Sequence, residues 1–184
     1  MTVTTKWALG LAVLLAALLQ SPWAWGQLRI HSGAAKSSFE HPKELEQRVF
    51  QFTNEARRKN GLSPLEADKT LAALARKKSD DMIQRHYFSH PDPEGRTIKE
   101  RYAEVKPTRG GMVGLGENIS TGGQKTYDDT TTAARGIVDG FMVSPGHRQN
   151  ILQPAYTHLG IGISIKDKEY FVTQCFGVSS NKQP

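Results

Sequence analysis

The stretch from His158 to Val178, HLGIGISIKDKEYFVTQCFGV, decides the fold class of this chain. Its first part, HLGIGISI, alternates large aliphatic residues with glycine or serine, and its last part, YFVTQCFGV, is rich in aromatic and β-branched residues. An alternation with a period of two is typical of a β-strand, and the polar residues KDKE between the two runs suit a turn. The sequence therefore predicts a C-terminal β-hairpin.

The residues before this hairpin have a different, helical periodicity. Apolar side chains recur there at intervals of three and four, with Asp68 in position to cap a helix and Gly61 in position to end one. Helices are predicted from Pro42 to just before Gly61, from Asp68 to about His86, from Thr97 over TIKERYAEV, and from Thr131 to Val143.

A glycine-rich segment, RGGMVGLGENISTGG, separates the third and fourth of these helices. Its composition predicts irregular structure with a brief extended core around Glu117 to Ile119. Helices followed by strands, without βαβ alternation, indicate an α+β domain with helices packed on an antiparallel sheet.

The first 26 residues differ from the rest and have the layout of a signal peptide. A lone Lys6 precedes the apolar run from Trp7 to Leu19, which is shorter than the roughly 20 residues that cross a membrane. Small residues supply a cleavage site before Gln27, so we expect a secreted or periplasmic protein with no membrane span after cleavage; an uncleaved anchor is the alternative. Residues 27–41 are predicted to be a flexible lead-in, and residues 42–184 a single domain.

Charge and cysteine content restrict the partners and the sources of stability. Removing residues 1–26 leaves 23 Lys and Arg against 18 Asp and Glu, a formal net charge of +5. Without a polybasic run this indicates attraction to anionic envelope polymers or lipid surfaces and no nucleic-acid partner, and we expect a monomer. The lone cysteine, Cys175, excludes an internal disulfide and is predicted to be a buried, inert thiol.

Two local patterns could carry chemistry but have structural explanations. His86 and His90 stand four residues apart, as helical zinc ligands do, but Tyr87 takes the place of a protease glutamate and Pro91 disfavours helix here. Ser144 precedes His147 by three residues, but a nucleophile elbow needs glycine on both sides of the serine. We expect Ser144 to end one helix and to hydrogen-bond the turn or cap the next helix.

Three residues in loop-like sequence remain as site candidates: His90, Glu117 and His147. Two imidazoles and a carboxylate suit a divalent metal such as zinc, or an acid-base pair, but their separation in sequence fixes no geometry.

Four motifs in order resemble a bacterial CAP domain, the family of cysteine-rich secretory, antigen 5 and pathogenesis-related proteins. They are FTNEARRKNGLSPLEADKTLAALARKKSDDMIQRHYFSHPDPEGRT, GENIS, SPGHRQNILQPAYTHLGIGI and YFVTQCFG. The resemblance implies an α-β-α sandwich with helices on both sides of a small antiparallel sheet.

The resemblance also implies a cleft in which two histidines and one or two glutamates hold a divalent metal, often zinc. The matching residues are His90 in FSHPDP, Glu117 in GEN and His147 in PGHRQN. The sequence departs from the family pattern where Phe141 replaces a tryptophan and Ser144 replaces a second acid.

Three hypotheses for function follow. In the first, an exported CAP domain binds a lipid, glycan or protein ligand of the envelope or surroundings through the cleft. In the second, His90 and His147 hold zinc and Glu117 is the catalytic base of a hydrolase. In the third, the motif residues are structural: Glu117 accepts loop amide hydrogen bonds, Asn118 and Asn150 tie turns, and His147 fixes a helix start.

Overall fold

The computed structural model describes residues 42–105, 111–123 and 129–180. The predicted signal peptide and lead-in, residues 1–41, lie outside the described residues, as do residues 181–184.

Five helices and four strands make up the described part of the chain. The helices are α1 (Pro42–Lys59), α2 (Lys69–Gln84), α3 (Ile98–Val105), α4 (Thr130–Val143) and α5 (Pro145–Ile151). The strands are β1 (Glu66–Ala67), β2 (Met112–Gly123), β3 (His158–Lys166) and β4 (Glu169–Ser179). The four predicted helices and the C-terminal hairpin are confirmed, and Asp68 caps α2 by accepting a hydrogen bond from the Leu71 amide.

The strands form one sheet in the order β1-β3-β4-β2. The pairs β3–β4 and β2–β4 are antiparallel, whereas β1 pairs with β3 in parallel through Glu66–His158 and Ala67–Leu159. The expectation of a purely antiparallel sheet is therefore corrected to a mixed one. The two residues of β1 are too few to produce a periodic pattern, so the sequence did not reveal this strand.

The glycine-rich segment is mostly strand. The predicted extended core around Glu117 to Ile119 is confirmed, but the prediction of irregular structure was wrong for the rest of residues 112–123. From Gly114 to Gly123, β2 pairs residue by residue with β4, with Glu117 opposite Cys175. The glycines serve packing: a Cβ on Gly116 or Gly122 would overlap the phenol ring of Tyr156 or Tyr170. From the sequence alone these glycines indicated a loop. The tyrosines that they pack against lie far away in sequence, so no local pattern showed that the glycines belong to a strand.

The α-β-α sandwich is confirmed, because helices cover both faces of the sheet. Helices α1 and α4 pack together on one face, and α2 packs on the other against β3 and β4. Leu159, Ile161 and Ile163 of β3 belong to the core with α1 and α4. The alternate residues Gly160 and Gly162 face α2, where a Cβ would overlap the helix backbone. The aliphatic residues of LGIGI therefore pack on the α1 and α4 side of the sheet, and its glycines allow close contact with α2 on the other side. Both faces of this strand are buried.

The smaller core beneath α2 contains Cys175. This residue is fully buried with Leu71, Leu74, Ala75 and Tyr102. Burial raises the pKa of the Cys175 thiol well above its usual range, which confirms the buried thiol and keeps it protonated and inert. Across residues 42–105, 111–123 and 129–180, no helix combines the length and apolar character of a membrane span.

Candidate functional site

The fold brings the three candidate residues to one cleft. His90 lies in the loop after α2, Glu117 in the middle of β2, and His147 in the first turn of α5. The Nδ1 atom of His90 is 3.0 Å from Oε1 of Glu117. His90 and His147 both line an open cleft of about 510 Å³, with Glu117 behind His90. The three residues, whose separation in the sequence set no distance between them, are thus neighbours in the structure.

Glu117 is held from its other side by Arg101 of α3. Its Oε2 accepts a hydrogen bond from Arg101 Nη2 at 2.6 Å, and both side chains are about nine-tenths buried. Each carboxylate oxygen therefore has a partner before any ligand arrives. The third hypothesis expected loop amides as the donors to Glu117, but the donors present are the His90 ring and the Arg101 guanidinium.

This arrangement orients the His90 ring. A carboxylate hydrogen-bonded to Nδ1 favours the tautomer with a proton there and leaves Nε2 with a free lone pair. The His90 side chain is 53% exposed. His90 can thus present Nε2 as a hydrogen-bond acceptor or metal ligand, while Glu117 fixes the ring's direction.

His147 is positioned by the helix junction around it. Ser144 is both the last cap of α4 and the first cap of α5, as expected, but its side chain makes no cap hydrogen bond. The ring of Phe141 contacts the His147 ring edge to face, with centroids 5.1 Å apart. Partial burial, and secondly the coulombic influence of His90, lower the pKa of His147 from its usual value. This shift favours the neutral ring, which can act as an acceptor or ligand.

Buried amides connect the elements that carry the site. Asn118 Nδ2 donates to the His147 carbonyl at 3.1 Å and to Gln174 Oε1 at 3.0 Å. Asn150 Nδ2 donates to the Glu117 carbonyl and to Asn118 Oδ1. Asn118 and Asn150 were expected to tie turns; instead they connect helix α5 with strands β2 and β4. These bonds fix α5, and therefore His147, relative to β2.

Sequence reasoning missed Arg101 and Gln174. Arg101 stands in an ordinary amphipathic helix, TIKERYAEV, with nothing to mark it as buried. Gln174 gave a weak signal, because a glutamine inside the apolar run YFVTQCFG needs hydrogen-bond partners when buried.

The other candidates lie outside the cleft. His86 is exposed, follows the end of α2 in a left-handed conformation with φ of 55°, and is absent from the cleft lining. The pair of His86 and His90 is therefore not on one helix face. His158 contacts Thr157 and Glu66 at the sheet edge.

The donor set fits a metal only in part. His90 and His147 supply two imidazoles, with a carboxylate orienting one of them, which is a common arrangement around zinc. The described residues contain no group of three or more His, Cys, Asp or Glu side chains arranged to hold a metal ion. Catalytic zinc sites have three protein ligands, so the described part of the chain supplies one too few.

Comparison with known proteins agrees with this fold and these motifs. The cysteine-rich secretory protein (CAP) family matches residues 50–176. Two Bacillus subtilis proteins are similar: the uncharacterized protein YkwD, 40% identical over 117 residues, and the uncharacterized membrane protein YlbC, 37% identical over 134 residues. These alignments cover 64% and 71% of this chain, but only 41% and 34% of the relatives.

A solved structure extends the comparison to three dimensions. An extracellular protein containing an SCP domain from Bacillus anthracis superposes with a TM-score of 0.60 at 34% identity, over 73% of this chain and 40% of that one. The sandwich, the motif order and the extent of the family match lead to one conclusion: this chain belongs to the cysteine-rich secretory protein (CAP) family.

Proposed function

We propose that this chain is an exported CAP-domain protein that binds a ligand of the cell envelope or surroundings through the cleft between His90 and His147. The observation that carries the proposal is the chain of contacts from Arg101 through Glu117 to His90. It fixes one imidazole at an open cleft at the cost of burying an ion pair. The His90 side chain is 53% exposed, so the ring that Glu117 orients remains accessible to a ligand.

The cleft lining suits a ligand with both apolar and polar groups. Phe88 is half exposed at its edge, with Pro91 and Ile119 as further apolar surface. Ser89, Ser120 and Thr121 supply hydroxyl groups. Together with two imidazole acceptors, this lining favours a glycan, lipid headgroup or peptide over a purely apolar molecule.

Export is supported by the signal-peptide layout of residues 1–26 and by the extracellular B. anthracis protein. YlbC is named as a membrane protein, which supports the alternative of an uncleaved anchor. N-terminal sequencing of the protein from its host separates the two, because cleavage gives a chain that begins at Gln27.

The zinc-dependent hydrolase is the second candidate. His90 and His147 would hold the ion, and zinc would supply a water with its pKa lowered to about 7. Glu117 would have to leave Arg101 or His90 to act as a base. The described residues offer only two metal ligands, and the Glu117 carboxylate is already hydrogen-bonded to Arg101 and His90. Ligand binding in the cleft is therefore favoured over zinc-dependent hydrolysis.

Native mass spectrometry of untagged protein from its own host tests the proposal. We expect a non-covalent adduct, lipid, glycan, peptide or metal, that is lost in the double variant His90→Ala/His147→Ala and kept in His86→Ala. An adduct that persists in the double variant would place the ligand elsewhere. Absence of any adduct from the wild-type protein, even at low collision energy, would count against a captured ligand.

A further inference from the structure

A second cavity, of about 350 Å³, lies between α2 and α3. Its lining shares no residue with the histidine cleft. Ala73, Leu74 and Val105 give it apolar walls, and charged side chains surround them. This volume is at the lower end of the range for small-molecule sites.

The acidic side chains of this cavity already have partners. Asp92 accepts from Arg96 Nε at 2.8 Å, and Glu104 accepts from Arg96 Nη1 at 2.9 Å. Asp81 accepts from the Tyr87 hydroxyl. Each of these carboxylates therefore already has a hydrogen-bond donor within the protein.

Two buried cations beside them are incompletely paired. Lys78 is only 2% exposed, yet its Nζ meets neutral acceptors alone, the Tyr87 hydroxyl at 3.1 Å and the Pro91 carbonyl at 3.4 Å. Arg101 binds Glu117 through Nη2, while its Nη1 is closed to solvent and has no hydrogen-bond acceptor in the described part of the chain. A buried cationic group that lacks part of its hydrogen-bond acceptors is costly, so such a group can mark a ligand position.

We propose that this cavity binds a small organic monocarboxylate, with its carboxylate at Lys78 and Arg101 and its short apolar chain against Leu74 and Val105. The charge balance favours a single negative charge. The lining carries Lys77, Lys78, Arg96 and Arg101 against Asp81, Asp92 and Glu104, a net charge of +1. A phosphate dianion would meet three carboxylates with too few free cations.

This site is independent of the proposed function of the cleft. Arg101 nevertheless connects the two, because the guanidinium that faces the cavity also holds Glu117, and Glu117 holds His90. A carboxylate at the unpaired Nη1 would therefore bind the same guanidinium that holds Glu117 through Nη2.

Hexanoate is the probe for the test. Calorimetry and amide-shift mapping on the full chain should show one saturable site with shifts centred on α2 and α3. Hexan-1-ol and hexylammonium, which have the same chain without the negative charge, should bind at least tenfold more weakly. Lys78→Met, which keeps the length of the side chain, should weaken hexanoate binding at least tenfold, while the exposed, matched variant Lys59→Met should leave it unchanged.

Ala73→Trp, which places a large ring at the cavity wall, should abolish binding and provides a second variant if Lys78→Met does not fold. Equal binding of hexanoate and hexan-1-ol, shifts centred on the histidine cleft, or hexanoate affinity unaffected by both Lys78→Met and Ala73→Trp would each overturn the proposal. So would the absence of saturable hexanoate binding to the wild-type protein.

Discussion

Arg101 Nη2 lies 2.6 Å from Oε2 of Glu117, and the pair is buried between α3 and β2. Removing one partner of such a pair leaves an uncompensated buried charge, which costs about 3–5 kcal/mol. We expect Arg101→Met to lower the free energy of unfolding by this amount in urea denaturation. Arg148→Met, at an exposed arginine, is the control and should change it by less than about 0.5 kcal/mol. Equal effects of the two variants would show that the ion pair contributes nothing.

Zinc affinity should depend on Glu117 although Glu117 is not placed as a ligand. Glu117→Gln weakens the orientation of His90, and loss of such a supporting carboxylate typically lowers metal affinity 10- to 100-fold. Calorimetric zinc titration should show this loss, a loss at least as large in His90→Ala and His147→Ala, and no change in His86→Ala. Equal weakening by His86→Ala and His90→Ala would favour the His86–His90 pair instead. Failure of the wild-type protein to bind zinc would remove the hydrolase candidate.

The glycines of β3 should tolerate no side chain. A Cβ on Gly162 would lie closer than 3.0 Å to the backbone of Ala75 and Arg76 in α2, so Gly162→Ala must push the helix off the sheet. We expect a loss of roughly 3 kcal/mol or more in the free energy of unfolding. Gly140→Ala is the matched control, because Gly140 is exposed inside α4 with nothing near its Cβ position. It should stabilise the protein by about 1 kcal/mol, the difference in helix propensity.

The buried ammonium of Lys78 should make stability depend on pH in the alkaline range. Burial, then the charge of Arg101, lowers the pKa of Lys78 from 10.5 to about 8. Between these values the unfolded chain binds more protons than the folded one, so the free energy of unfolding rises with pH. From pH 8 to 9.5 the wild-type protein should gain about 1–2 kcal/mol relative to Lys78→Met. Parallel pH profiles of the two proteins in urea denaturation would contradict the shift.

The pH profile of His147 has the same sign in a lower range. Its lowered pKa means that the folded state resists protonation, so stability falls as the pH drops through 6.5 and levels off below the folded-state pKa. His147→Gln should remove this part of the acid sensitivity. Thermal unfolding between pH 7.5 and 5 measures it, and an unchanged profile in the variant would assign the sensitivity to other groups.

Elements with a local periodic pattern could be predicted from the sequence. The apolar faces of α1 and α4 and the β3–β4 hairpin are patterns formed by residues within a few positions of one another. All of these elements are confirmed. Asp68 was recognisable as a cap for the same reason. In these segments the residues that are buried in the structure are those whose spacing in the sequence predicted the helix or strand.

What could not be predicted depends on contacts between distant parts of the chain. The glycines of strand β2 weaken its local signal, and the strand is defined by its pairing with β4, with Tyr156 and Tyr170 packed against Gly116 and Gly122. Arg101 looks like a surface residue of α3 until Glu117 is placed beside it. The grouping of His90, Glu117 and His147 was implied only by family resemblance, since thirty residues of separation set no distance.

The buried hydrogen bonds behind the cleft also determine when it can form. Arg57 of α1 donates to the carbonyls of Ile151 and Gln153, 94 and 96 residues further along, and Gln174 of β4 donates to Thr53, 121 residues back. Native contacts with such long loops between them form late and slowly. The cleft should therefore be incomplete while the chain is still being synthesised and should close only as the last strand joins the sheet, so a nascent chain or a C-terminally truncated fragment would expose its histidines without a binding geometry.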